Sequence, residues 1–568
     1  MSVTGKPLSI PAENGMRSRI LRVHPQDNVL VALADLKKGE EVQVGRSGFV
    51  LVSDVPAKHK FVTDNLEAGD SVIMYGVSIG KAVAPILRGE AVTTQNVRHH
   101  AAAVDGKSGV YRRTWTWTAP DVSRWQRRTF SGYQRADGQV GTRNYWLVIP
   151  LVFCENRNVA VLKQAFEDEL GYAPPQVYRT QVARLVELYK EGKVQEITQL
   201  LSERGRAASE QRRLFKNVDG IKFLTHEGGC GGTRQDAGGL AGLLAGYIHH
   251  PNVAGATILS LGCQNAQVDL LHKEILKRDP GFNKPLLVME QQRSGSEFAM
   301  ISEAIQKTFL GLVEAEKCRR TPAPVSKLTV GLKCGGSDGF SGISANPAIG
   351  HTADIMAAIG GRTILSEFPE LCGVEQELVN RCSRAETADR FLRLMRDYNA
   401  RAQAVGSGFD MNPSPGNIRD GLITDAMKSA GAAKKGGTSP VTDVLDFPEY
   451  ATEPGLNLLC TPGNDVESVT AQVGSGASVV LFTTGLGTPT GNPIAPVIKI
   501  STNSELPQRM PDIIDLDAGP IISGQKTVEE TGEDVLELVI KVASGEVKTK
   551  AELLAQDDFI PWKRGVSL

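Results

Sequence analysis

Apolar and polar positions change their spacing twice along this chain. From residue 18 to residue 98, short apolar stretches such as NVLVALA and SVIMYGV alternate with the turn signals KKGEE, EAGD and LRGE. That pattern predicts a small, mostly β module with tight turns. Residues 99–127, HHAAAVDGKSGVYRRTWTWTAPDVSRWQR, are polar and basic with no aliphatic periodicity, and predict a linker in which Trp115 and Trp117 dock on a neighbouring surface. From residue 128 onward the apolar positions form near-continuous runs: NYWLVIPLVFC, GIKFLTH, GATILSLGC, KPLLVME, LTVGLKC, GRTILSE, LNLLCTPG, ASVVLFTTG and APVIKIST. Such runs predict strands buried on both faces. Helix-spaced patterns lie between many of them, among them VAVLKQAFEDEL, QDAGGLAGLLAGYI and DVLELVIKVASG. Strand–helix alternation predicts an α/β fold with a parallel sheet covered by helices. The prolines and weak periodicity of RTPAPVS divide this region into 128–325 and 326–568.

Composition narrows the class. The 568 residues are 41% hydrophobic and 22% charged, which is ordinary globular usage, and a formal net charge of -1 offers no basic field for nucleic acid. No apolar run is long enough for a membrane span, and the N-terminus lacks an apolar signal core, so a cytoplasmic protein is expected. Eight cysteines scattered over the chain do not form a disulfide scaffold, and no CxxC pair supports a zinc ribbon.

The chemistry collects where apolar runs end. Cys154, Cys263 and Cys334 each close such a run, and Cys230 follows shortly after another in HEGGCGG. Ligands bind outside the carboxyl ends of parallel strands, so these thiols are candidates for a shared site. The glycine-rich loops KCGGSDGFSG, NPSPGN, CTPGND and TTGLGTP present backbone N–H groups to an oxyanion, which makes Gly335, Gly336, Ser337, Asn346, Asn417, Asn464 and Thr484 candidate substrate contacts. None of these loops is a Walker A motif or a clean dinucleotide fingerprint. Asp338 and Glu367 are the best local candidates for metal ligands, joined by Cys334, Cys230 and Cys263. In the β module, His24, His59 and Lys60 are candidate acid, base or carboxylate anchor, with Asp338 a further catalytic candidate.

The ordered set VHPQDNVLVALADLKKGEEV, VPAKHKFVTDNLEAGDSVIMYG, GYQRADGQVGTRNYWLVIP, LSLGCQNAQVD, LKCGGSDGFSGISANPAIG, TILSEFPELCGVEQ, NPSPGN, GLNLLCTPGND and FTTGLGTPTGNPIAPVIKISTNSEL resembles the altronate/galactarate dehydratase family along nearly the whole chain. SEFPELCGVEQ and CTPGND are closer to the altronate branch. The departures are an apparent insertion at 178–217, HEGGCGG in place of a Tyr-Gly-Cys loop, and Leu486 where an arginine is expected. The resemblance implies an N-terminal SAF, or β-clip, domain and a Rossmann-like parallel sheet. It implies a hydro-lyase converting D-altronate to 2-dehydro-3-deoxy-D-gluconate with Fe2+, or another divalent ion such as Mn2+, in a homodimer or larger homo-oligomer. The alternatives are a galactarate- or sulfolactate-type lyase, a non-catalytic sugar-acid-binding protein, and an iron–sulfur dehydratase built on Cys154, Cys230, Cys263 and Cys334.

Overall fold

The structure, a computed structural model, describes residues 18–44, 47–100, 111, 115–173, 177–198 and 213–567. Parts of the expected linker (101–110 and 112–114) and of the expected insertion (199–212) lie outside the described residues. The N-terminal part is built from short antiparallel strands, such as Ile20–Leu21, Val29–Ala32 and Lys60–Val62 in one sheet and Ser71–Met74, Val77–Ala82 and Val97–Arg98 in another. Trp115 docks as expected, its indole N–H donating to the Thr438 carbonyl at 3.1 Å.

All nine apolar runs contain strands of two parallel sheets. The first comprises β1 (Tyr145–Pro150), β2 (Gly220–Phe223), β3 (Val253–Ser260) and β4 (Leu286–Glu290), in the order β2-β1-β3-β4. Helices α1 (Asn156–Leu170), α2 (Arg234–His249), α3 (Val268–Arg278) and α4 (Glu297–Ala315) follow the four strands in turn. The second sheet comprises β5 (Thr329–Cys334), β6 (Arg362–Leu365), β7 (Val441–Leu445), β8 (Gly455–Leu459), β9 (Val479–Thr484), β10 (Val497–Ser501) and β11 (Leu516–Asp517), in the order β7-β8-β6-β5-β9-β10-β11. Its central strands are buried along their full length, which explains their unbroken apolar character. The edge strands β7 and β11 were not among the expected runs, because VTDVL is half polar and Leu516–Asp517 is only 2 residues long.

Two expectations change. RTPAPVS is not merely a break: Arg320–Pro324 is a strand paired antiparallel with Thr129–Gln134, so the chain enters and leaves the middle region side by side. The candidate contact Asn346 does not lie in a loop either, because Ala345–Ala358 forms a helix, α5. That helix and α7 (Val528–Ala543) cover one face of the seven-stranded sheet, with Ala345, Ala348, Ile349, Val535 and Val539 buried in the same core as Val330 and Leu332.

Candidate active site

In the seven-stranded sheet the chain runs outward from β5 in one direction through β6 and later in the other through β9. The crevice between their carboxyl ends is the switch point where open parallel sheets bind ligands. The loop after β5 fills it. Gly485 and Leu486, just after β9, both donate their N–H to the Gly336 carbonyl at 3.0 Å, so the two loops are laced together.

The glycines of this loop have a packing cause. A Cβ on Gly335 would meet Asp465 Oδ1 at 2.4 Å, one on Gly339 the Lys58 carbonyl at 2.3 Å, and one on Gly342 the Tyr75 hydroxyl at 2.3 Å. Side chains and backbone from elsewhere press in where these residues have none. The apolar exceptions, Phe340 and Ile343, enter the core of the β-clip domain beside Val62 and Met74, and thereby hold that domain over the crevice.

Asp338 is fully buried within this junction. Its Oδ1 accepts from Thr502 Oγ1 at 2.9 Å, Ser341 Oγ at 3.1 Å and the Phe340 N–H at 3.2 Å. Its Oδ2 faces Lys58 Nζ at 3.1 Å, and Lys58 also pairs with Asp420 at 3.2 Å. Lys58, absent from the sequence-derived candidates, is thus the main contact of the β-clip domain with Asp338. Burial works against its charge, but the two carboxylates hold its pKa above the ordinary lysine value.

Lys60 sits deeper, 2% exposed, with Nζ donating to the Lys58 and Gly421 carbonyls, each at 2.8 Å. Burial drives its pKa down to about 7, and Asp338 opposes the fall. A neutral lysine has two N–H donors and one lone pair; the two carbonyls use the donors and leave the lone pair to take a proton. His59 lies beside it with Nε2 against the Arg419 carbonyl at 3.1 Å, its pKa lowered by burial. His24 is not brought to this place. Its N–H donates to Asp27 within a local turn, and its ring lies where a side chain on Gly76 would be.

On the other side of the Gly335–Gly336 turn is a second buried group. Cys334, Glu367 and Glu370 offer ligand atoms all within 4.8 Å of one another. Three ammonium groups already occupy their surroundings. Lys333 pairs with Glu367 and, at 3.0 Å, with Asp465. Lys435 contacts Glu367 at 2.7 Å and the Cys334 sulfur at 2.8 Å, and Lys428 contacts Glu370 at 2.9 Å. Despite their burial, the carboxylates raise all three lysines above their usual pKa. Burial pushes the Cys334 thiol up to about 12. Three lysines balance Glu367, Glu370 and Asp465 and leave no net negative charge, so this donor set does not fit a divalent ion, which needs a negative site. Glu367 holds its place in left-handed backbone, φ 70°, unusual for a side-chain-bearing residue at the end of a strand.

Of the expected metal ligands the structure brings Cys334 and Glu367 together and places the others elsewhere. Cys230 and Cys263 are exposed at the other sheet, and Asp338 is saturated by hydroxyl, amide and lysine donors. Asn346 lies inside α5, where its amide joins Thr483 Oγ1 at 2.6 Å and the Gly431 carbonyl at 3.0 Å. Asn464 caps a helix through Val466 N–H, and Thr484 accepts from Gly487 N–H at 2.9 Å. Asn417 reaches the loop itself, donating to the Ser337 carbonyl at 2.8 Å. Ser337 Oγ is buried and meets no partner among the described residues, which leaves one hydroxyl beside Gly336 open to a ligand. Asp425, another residue the sequence did not single out, begins α6 (Asp425–Ala433). Burial, with Glu370 adding to it, pushes its pKa up to about 8, so it is a carboxylic acid at neutral pH.

A β domain clamped over the switch point of a parallel sheet, with a buried near-neutral lysine at the junction, defines a crevice enzyme with acid–base chemistry. Comparison with known proteins identifies the family. Residues 18–100 match the altronate/galactarate dehydratase SAF domain, 132–316 the D-galactarate dehydratase/altronate hydrolase second domain, and 325–567 the D-galactarate/altronate dehydratase C-terminal domain. The chain is 33% identical to the altronate dehydratase of Escherichia coli (strain K12) over 552 residues, 96% of this chain and 99% of that one. It is 32% identical to the altronate dehydratase of Bacillus subtilis (strain 168), covering 93% and 95% of the two chains. It is 29% identical to the galactarate dehydratase (L-threo-forming) of E. coli K12, covering 93% of each. The chain belongs to the altronate/galactarate dehydratase family and is a hydro-lyase.

Proposed function

We propose that this hydro-lyase removes water from a sugar acid, and that its substrate is D-altronate, converted to 2-dehydro-3-deoxy-D-gluconate. Full-length similarity to two altronate dehydratases supports the substrate. The observation that carries the chemistry is the buried Lys60, whose Nζ donates to two carbonyls while burial lowers its pKa toward neutrality.

In this reading neutral Lys60 takes the proton from C2 of the bound acid. Charge moves onto the carboxylate, giving an enediolate. Lys58, held by Asp338 and Asp420, and the free hydroxyl of Ser337 steady that charge. The ammonium of Lys60 then returns its proton to the departing C3 hydroxyl. The C2–H and C3–O bonds break, water leaves, and the resulting enol becomes the 2-keto product. One residue acts as base and then as acid, and both ends of the reaction balance.

A second reading, galactarate, is favoured by one contact. Arg509 donates to the Leu486 carbonyl at 3.3 Å, which brings a guanidinium to the loop and positions it to meet a second carboxylate. Turnover of D-altronate and D-galactarate by the purified protein separates the two: the first reading expects the higher kcat/KM with altronate, and the reverse order would replace it. We also propose a cytoplasmic homodimer or larger oligomer as the working form, which sedimentation of the purified protein tests.

A further inference from the structure

Eight cysteines are present, and the exposed ones are Cys154, Cys230 and Cys263. All three stand at the carboxyl end of one sheet. Cys154 follows β1, Cys230 follows β2 and Cys263 follows β3, and these strands are adjacent in the order β2-β1-β3. Register strengthens the placement. Pro150 of β1 pairs with Leu259 of β3, and Cys154 and Cys263 each lie four residues further along.

The three loops are also tied to each other. Phe153, next to Cys154, donates its N–H to the Gly228 carbonyl at 3.1 Å. Asn265 and Ala266, just past Cys263, donate to the Gly229 carbonyl at 2.8 and 3.1 Å. Gly229 adjoins Cys230 and has φ +98°, and a Cβ there would meet the Leu151 carbonyl at 2.1 Å. Only glycine lets the Cys230 loop lie this close to β1.

Each cysteine then runs into a helix: Cys154 into α1, Cys230 into α2 and Cys263 into α3. Three helix N-termini thus follow three thiols at the same end of the sheet, and a helix N-terminus favours an anionic group. The N-caps of α1 and α3 form no side-chain capping bond. The boundary between β1 and β3 is moreover the point where strand order reverses in a 2-1-3-4 sheet, the usual place for a ligand.

We propose that this strand-end cradle binds an iron–sulfur cluster of the [4Fe–4S] type, with Cys154, Cys230 and Cys263 on three irons and the fourth iron left without a cysteine ligand. A single zinc or ferrous ion fits less well. It gathers its ligands into one tight shell, whereas these three sulfurs do not all lie within 4.8 Å of one another. Cys334 is not the fourth ligand, because it is buried in the other sheet against Lys435 and Glu370. The site is independent of the sugar-acid reading and is tested without turnover.

The test is anaerobic reconstitution of the full chain with ferric iron and sulfide under thiol reductant, which supplies the mixed ferric and ferrous iron of the cluster, read by visible absorption and by bound iron and acid-labile sulfide. The expected result is a brown protein with iron and sulfide in equal amounts, about four of each per chain. Cys154→Ser, Cys230→Ser and Cys263→Ser should each lose most of the absorption while keeping the wild-type melting curve, since all three side chains are exposed. Cys382→Ser should keep it. A colourless protein without labile sulfide, binding of zinc or iron alone, or a chromophore that survives the three substitutions would overturn the proposal.

Discussion

The two parallel sheets end in opposite ways. At the seven-stranded sheet, the polar groups beyond β5 and β6 are matched within the protein: Lys333, Lys428 and Lys435 against Glu367, Glu370 and Asp465, and Lys58 against Asp338. At the four-stranded sheet, three thiols stand exposed with three helix N-termini behind them. The first end is preorganised and charge-balanced, suited to holding a substrate and moving a proton. The second, in the proposal made above, holds a group the chain does not itself supply. Sequence position alone makes the two look alike, since a cysteine closes the strand in both; what surrounds the sulfur separates them.

Substitutions at the balanced end should have graded effects. Lys60→Met is expected to lower kcat with D-altronate by roughly 100- to 10,000-fold, the usual worth of a general base, while leaving or raising the melting temperature because a buried amine is removed. Normal turnover would take Lys60 out of the reaction. Glu367→Gln should cost about 3–5 kcal/mol of stability in denaturant unfolding, since Lys333 and Lys435 lose a buried partner. A loss below ~1 kcal/mol would mean that the lysine network closes without it.

Asp338→Asn is a smaller change. It should cost about 1–3 kcal/mol and displace the pH profile of kcat/KM to lower pH, because the carboxylate that supports the Lys60 ammonium is gone. An unmoved profile would uncouple the two residues. Asp425→Asn should act on pH dependence alone. Burial raises the folded-state pKa of Asp425 from 3.8 to about 8, so its contribution is fully present below the unfolded value and is lost as pH rises toward 8. The variant's melting temperature should therefore fall less than wild type between about pH 4 and pH 8. Parallel curves would show that Asp425 ionises without cost.

Much of this was legible in the residues. Continuous apolar runs marked the buried strands, because a strand covered on both faces needs apolar residues at every position. The family followed from the ordered loops. His59 and Lys60 stand out in the β-clip sequence because an imidazole and an amine lie together near a turn. Other features had no such mark. α5 was hidden in ANPAIGHTADIMAA because a helix buried on nearly all sides shows little amphipathic spacing. Lys333 does carry a signal: a lysine within the buried strand TVGLKC demands a partner, and that partner is Glu367, 34 residues on. The surroundings of the candidate metal ligands were hidden for a related reason. Residue type suggests ligands at Cys334 and Glu367, but Lys435, which contacts both, comes from about a hundred residues beyond Cys334.

The central claim is that Lys60 works as a near-neutral base over the β5 switch point. Its most direct test is the pH dependence of kcat/KM for D-altronate, which reports ionisations of the free enzyme. The account predicts a rise through about pH 7 to a plateau as Lys60 loses its proton, and no such rise in the residual activity of Lys60→Met. A profile that is flat or falling from about pH 6 to 8, or one that Lys60→Met leaves unchanged, would contradict it.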